Sequence, residues 1–117
     1  MKRFNKLIIA CDGESASGKS TAAKLISKKY KLLLVNSGLL YRYGSKLIIK
    51  HKPKNPISFL QKKFKNISYK TISSQNLHSE QISNHVALLA KNKKIREIVN
   101  KFQKKIIKSN KKICVEG

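Results

Sequence analysis

Leu7-Ile8-Ile9-Ala10-Cys11-Asp12-Gly13-Glu14-Ser15-Ala16-Ser17-Gly18-Lys19-Ser20 is the stretch on which the fold turns. Its first five residues form a continuous apolar run, the pattern of a strand buried on both faces of a parallel sheet. Its last eight fit G-x-x-x-x-G-K-[ST] without exception. Placed between a buried strand and a helix, that spacing has a physical purpose. Glycines at both ends let the backbone turn tightly and present successive N–H groups to a phosphate, while the helix adds roughly half a positive charge at its N-terminus. Lys19 can reach the β- and γ-phosphates as a point charge, and the Ser20 hydroxyl can ligate Mg²⁺. Gly13, Glu14, Ser15, Ala16, Ser17, Gly18, Lys19, Ser20 and Thr21 are therefore the candidate triphosphate-binding segment, with Lys19 as its catalytic charge. Asp12, directly after the strand, either meets the Mg²⁺ shell through a water or fixes the loop.

Reading outward, a helix is expected from Lys19 to about Lys29, with Ala22, Ala23, Leu25 and Ile26 on its apolar side. Leu32-Leu33-Leu34-Val35 reads as a second buried strand, and strand, turn, helix and strand within this length make a βαβ unit. After Asn36-Ser37-Gly38 a second helix runs through Leu40, Tyr43, Leu47 and Ile48 until Pro53 and Pro56 stop it. Between Lys54 and Asn76 the signals divide: Ile57, Leu60 and Phe64 suit a short helix, whereas Ile67, Tyr69 and Thr71 alternate as a strand would. Helical spacing returns from Ser79 with Ile82, Val86, Leu89 and Ala90, and resumes after Asn92 with Ile95, Ile98, Val99, Phe102 and Ile106. Ile113-Cys114-Val115 reads as a third strand. The expected fold is α/β, a parallel sheet with a phosphate loop after its first strand and a partly helical insert between the second and third strands. The expected segments are a core over 1–53, an insert over 54–92, and a return helix and third strand over 93–117.

The chain has 117 residues, enough for one small domain with a modest core. At 40% hydrophobic and 27% charged it has the composition of an ordinary globular chain. Its apolar runs fall far short of the roughly 20 residues that span a bilayer, so no membrane partner is expected. The basic start Met1-Lys2-Arg3-Phe4-Asn5-Lys6 lacks a cleavage pattern behind it and is not a secretory signal. Cys11 and Cys114 lie far apart without C-x-x-C spacing, which points away from zinc and disulfides and toward a cytoplasmic setting. His51, His78 and His85 show no metal-ligand spacing.

Net charge is +22, from 27 basic residues against 5 acids. Such a balance ordinarily suggests a polyanionic partner. Here, however, 24 of the 27 are lysine, and the arginines are Arg3, Arg42 and Arg96. Dedicated phosphate and base readers favour the rigid guanidinium fork, and these lysines are scattered through nearly every segment. The charge therefore reads as a solvated basic surface rather than a nucleic-acid footprint.

Several dispersed motifs together carry a resemblance. Asp12 to Ser20, then Asn36-Ser37-Gly38-Leu39-Leu40-Tyr41-Arg42, then Leu77-His78-Ser79-Glu80-Gln81-Ile82-Ser83-Asn84, Ile95-Arg96-Glu97 and Val115-Glu116-Gly117 resemble, in order, stretches of the bacterial cytidylate kinase family. The resemblance implies phosphoryl transfer from ATP, with Mg²⁺, to CMP or dCMP, giving ADP and the diphosphate. It implies Ser37, Arg42 and Arg96 as holders of the monophosphate nucleotide, a role a bidentate guanidinium suits. Tyr41 reads as structural. It further implies a parallel-sheet P-loop kinase fold, here truncated after the third strand, and a monomer when complete. Because the similarity covers only the N-terminal half of a typical family member, the chain is expected to be a fragment with weak turnover or none alone.

Departures from the family pattern are also visible. Asn36 stands where the family has Asp, and Glu14-Ser15-Ala16 replaces a more usual Pro-Ala/Ser-Gly, a change that puts a side chain at Ala16 where Gly is more permissive. Residues 54–76 do not align with the family's insert. Two other functions remain compatible with the residues alone: another small-molecule P-loop kinase, or a basic nucleic-acid-binding module with a kinase-like loop.

Overall fold

The computed structural model describes residues 7–11, 19–30, 32–110 and 112–116. In chain order the elements are β1 (Leu7–Cys11), α1 (Lys19–Tyr30), β2 (Leu33–Asn36), α2 (Ser37–His51), α3 (Pro56–Lys65), α4 (Tyr69–Ser73), α5 (Glu80–Ala90), α6 (Lys93–Ser109) and β3 (Lys112–Glu116). The α/β expectation holds. By contact the chain divides into two compact units, one of residues 1–37 with 104–117 and the other of residues 38–103.

The first unit is a three-stranded parallel sheet in the order β1-β3-β2. β3 lies in the middle, pairing Ile9 with Cys114 on one side and Leu34 with Cys114 on the other. Its central place accounts for the burial of Ile113 and Cys114, both at 0% exposure. β2 is an edge strand, and Leu33 at its start is 37% exposed, so the run expected to be buried throughout is buried only at Leu32 and Val35. Helix α1 lies against the sheet, where Ile26 joins Leu32, Leu34 and Cys114. Leu25, expected on the apolar side of α1, is 64% exposed. The Leu32 N–H donates to the Ser27 carbonyl at 2.8 Å, a six-to-one bond of the kind that closes a helix and redirects the chain.

The second unit is helical throughout, and local chemistry sets each boundary. α2 ends where Lys52 adopts φ 44° and its N–H bonds the Ile48 carbonyl at 2.8 Å, immediately before Pro53. Asn55 caps α3 by accepting from the Ser58 N–H at 3.1 Å, with Pro56 in the first turn. The alternation at Ile67, Tyr69 and Thr71 does not form a strand. Ser68 accepts from the Thr71 N–H at 3.2 Å and starts the short helix α4, which buries Tyr69 and Ile72 at i, i+3 spacing. Ser79 caps α5 and Asn92 caps α6, the latter accepting from the Lys94 and Ile95 N–H groups at 2.9 and 3.2 Å.

Apolar spacing in these helices buries Leu40, Leu60, Phe64, Ile72, Leu89 and Val99, together with Leu77 in the connection before α5. Phe64 sits between two aromatic partners, edge-on to Tyr43 at 5.5 Å and to Phe102 at 5.2 Å between ring centroids. Gly44 lets α2 approach its neighbours closely: a Cβ there would stand 3.2 Å from Leu89 Cδ2.

Candidate functional site

The signature segment lies between β1 and α1, which flank it as strand and helix. Asp12, Gly13, Glu14, Ser15, Ala16, Ser17 and Gly18 fall outside the described residues. Lys19, Ser20 and Thr21 form the opening turn of α1. The first backbone N–H groups of a helix have no intrahelical acceptor and carry the positive end of its dipole, so this turn is suited to an anion.

Parallel pairing brings the C-terminal ends of all three strands level. Glu116 is in register with Cys11 on one side and Asn36 on the other. The signature segment leaves the sheet after Cys11, and α2 leaves it after Asn36, with Ser37 as its first residue. Both connections therefore depart from the edge where open parallel sheets bind ligands.

Arg42 lies five residues into α2 and is half-buried. Its Nη1 donates to the Leu77 carbonyl at 3.1 Å and to Ser83 Oγ at 2.9 Å. Arg96 occupies the opening turn of α6, is exposed, and donates its N–H to the Asn92 carbonyl at 3.0 Å. Arg96 acts electrostatically on Tyr41, the residue preceding Arg42 in the chain. Burial pushes the Tyr41 phenol above its ordinary 10.0, and the Arg96 guanidinium pulls it part of the way back. Burial alone raises Tyr43.

Sequence reasoning passed over the groups that hold Arg42. Ser83 stands four residues after the cap Ser79, and its N–H donates to the Ser79 carbonyl at 3.0 Å. The available signal was a small hydroxyl residue on the polar side of an amphipathic helix, which by itself has no assigned partner. Also unforeseen was the link between Ser45, fully buried on α2, and His85 on α5, with Nδ1 3.0 Å from Oγ. His51 and His78 are exposed.

Among the described residues there is no group of three or more His, Cys, Asp or Glu side chains placed to hold a metal ion. A Mg²⁺ that arrives on a nucleotide makes smaller demands, because substrate phosphates and waters supply most of its oxygens and one or two protein oxygens suffice. The hydroxyl of Ser20 and the carboxylate of Asp12 are of that type, so the donor set fits the ion. Among the described residues no helix is long and apolar enough to cross a membrane.

Comparison with known proteins adds independent information. Residues 9–117 match the family model described as cytidylate kinase. The cytidylate kinase of Aquifex aeolicus (strain VF5) is 36% identical over 93% of this chain and 54% of its own length. That of Mesomycoplasma hyopneumoniae (strain 7448) is 35% identical over 97% of this chain and 55% of its own. A bifunctional pantoate ligase/cytidylate kinase of Prochlorococcus marinus (strain MIT 9301) is 41% identical over 87% of this chain and 20% of its own length. The chain spans about half the length of the Aquifex and Mesomycoplasma relatives.

Proposed function

The chain belongs to the cytidylate kinase family, and from that premise we propose that it serves transfer of the ATP γ-phosphoryl group to CMP or dCMP, giving ADP and CDP or dCDP. One observation carries the reading. A complete phosphate-loop signature is bracketed by β1 and α1, and the helix leaving β2 begins at Ser37 and bears Arg42.

In this reading the main-chain amides of residues 13–18 and the start of α1 cradle the ATP phosphates, and Lys19 neutralises charge on the transferring group. Ser20 directly, and Asp12 through a water, would hold Mg²⁺, which would supply neutralisation of the phosphate charge. Ser37, Arg42 and Arg96 hold the acceptor nucleotide, whose phosphate oxygen attacks the γ-phosphorus directly as ADP leaves. No covalent enzyme intermediate is formed. The acceleration comes from positioning and electrostatics.

A substrate panel tests the assignment. Titrating CMP, dCMP, UMP, AMP and cytidine into the chain is expected to give binding for the cytidine monophosphates and loss of that binding in Arg42→Ala. Equal affinity for AMP and CMP would remove the cytidylate assignment and leave a P-loop kinase of another specificity.

A further inference from the structure

We propose that Ser83 is a positioning residue for Arg42: together with the Leu77 carbonyl it engages Nη1 and so aims the opposite edge of the guanidinium at the phosphate of the acceptor nucleotide. The inference rests on the functional reading above and deepens it.

The geometry is specific. A guanidinium is planar and carries five donor hydrogens, two of them on Nη1. Nη1 lies 3.1 Å from the Leu77 oxygen and 2.9 Å from Ser83 Oγ, so each of its hydrogens has an acceptor. Rotation of the plane would break both bonds. Among the described residues Arg42 makes no other hydrogen bond, which leaves the Nε–Nη2 edge available to grip one oxyanion in the bidentate manner.

Both acceptors are mounted on one rigid piece of chain. Leu77 is fully buried. Ser79 caps α5 by accepting from the Ile82 N–H at 3.2 Å, and the Ser83 N–H closes the first turn onto the Ser79 carbonyl at 3.0 Å. The Ser45–His85 bond ties the same two helices one turn further along α2. Arg42 is therefore held by a pre-formed turn, which reduces the ordering that phosphate binding would otherwise require.

Ser83 is exposed on a helix, so Ser83→Ala removes the hydroxyl without emptying the core, and alanine favours the helix. Two readouts test the role. In the ligand-free chain, arginine side-chain NMR is expected to show slow rotation about the Arg42 Nε–Cζ bond, fast rotation in Ser83→Ala, and slow rotation again in Ser83→Thr. Affinity for CMP is expected to fall about tenfold in Ser83→Ala, the size expected for one lost bond to a charged group, and to recover in Ser83→Thr. Affinity for cytidine, which has no phosphate, is expected to stay unchanged. Fast rotation in the unsubstituted chain would overturn the inference, as would unchanged CMP affinity in Ser83→Ala when Arg42→Ala abolishes binding. Slow rotation with no CMP binding at all would instead overturn the functional reading, and with it the aim of the Nε–Nη2 edge at a phosphate, leaving only the contact between Ser83 and Arg42.

Discussion

His85 reaches from α5 to a serine that has no exposure to water, placing Nδ1 3.0 Å from the Ser45 hydroxyl on α2. A buried hydroxyl that loses its partner carries the full cost of its desolvation, whereas the half-buried imidazole can turn to solvent. His85→Ala is accordingly expected to destabilise the chain by about 1–3 kcal/mol. Adding Ser45→Ala to it should restore part of that loss. Urea unfolding of the two single variants and the double variant checks this, and strict additivity would show that the pair does not interact.

Phe64 is the middle ring of the Tyr43–Phe64–Phe102 set. Truncation to alanine would remove two edge contacts and open a cavity in the second unit. Phe64→Ala is expected to cost about 3–5 kcal/mol, a large fraction of the stability of a unit this size. Circular dichroism at 222 nm against urea measures it. A loss below about 1 kcal/mol would mean that the aromatic set is not the centre of this core.

At Gly44 two effects oppose each other. A side chain gains up to about 1 kcal/mol of helix propensity over glycine, yet the new Cβ stands 3.2 Å from Leu89 Cδ2. Gly44→Ala is thus expected to be nearly neutral. Gly44→Val, branched at that Cβ and a poorer helix former, is expected to destabilise by about 1–3 kcal/mol through overpacking. Pairing Gly44→Val with Leu89→Ala should recover part of the loss, and thermal melts of the three variants decide it.

Tyr41 and Tyr43 both ionise above 10.0 because burial disfavours the phenolate, and Arg96 opposes the shift at Tyr41. The folded chain therefore keeps these protons to higher pH than the unfolded chain does. Their contribution to stability is complete below pH 10 and is lost as pH rises through the folded values. Arg96→Ala removes the attraction and should raise Tyr41 further. A spectrophotometric titration of the phenolate band near 295 nm, with Tyr41→Phe as reference, tests the direction. A downward shift in Arg96→Ala would contradict the attraction of the Tyr41 phenolate to Arg96.

Much of this architecture was legible because its signals are local. The apolar run Leu7–Cys11, the signature after it, the stop at Pro53 and the caps at Ser79 and Asn92 each act within a few residues. What failed was period-two reading over Ile67, Tyr69 and Thr71, where a single capping bond from Ser68 outweighs side-chain alternation. The exposure of Leu33 was equally invisible, since it depends on which strand takes the middle of the sheet, and β3 comes last in the sequence. For the site, Arg42 and Arg96 stood out by scarcity among lysines. The groups that hold Arg42 are a main-chain carbonyl and a serine 35 and 41 residues away, and neither leaves a mark in spacing.

The central claim is that the segment from Gly13 to Ser20 grips the phosphates of ATP. Calorimetric titration of Mg·ATP into the chain and into Lys19→Ala, each checked for folding by circular dichroism, addresses it most directly. The account predicts magnesium-dependent binding that weakens at least about tenfold when the lysine charge is removed, with CMP affinity left intact. Identical titration curves for the two proteins, or no heat from a folded unsubstituted chain, would contradict it.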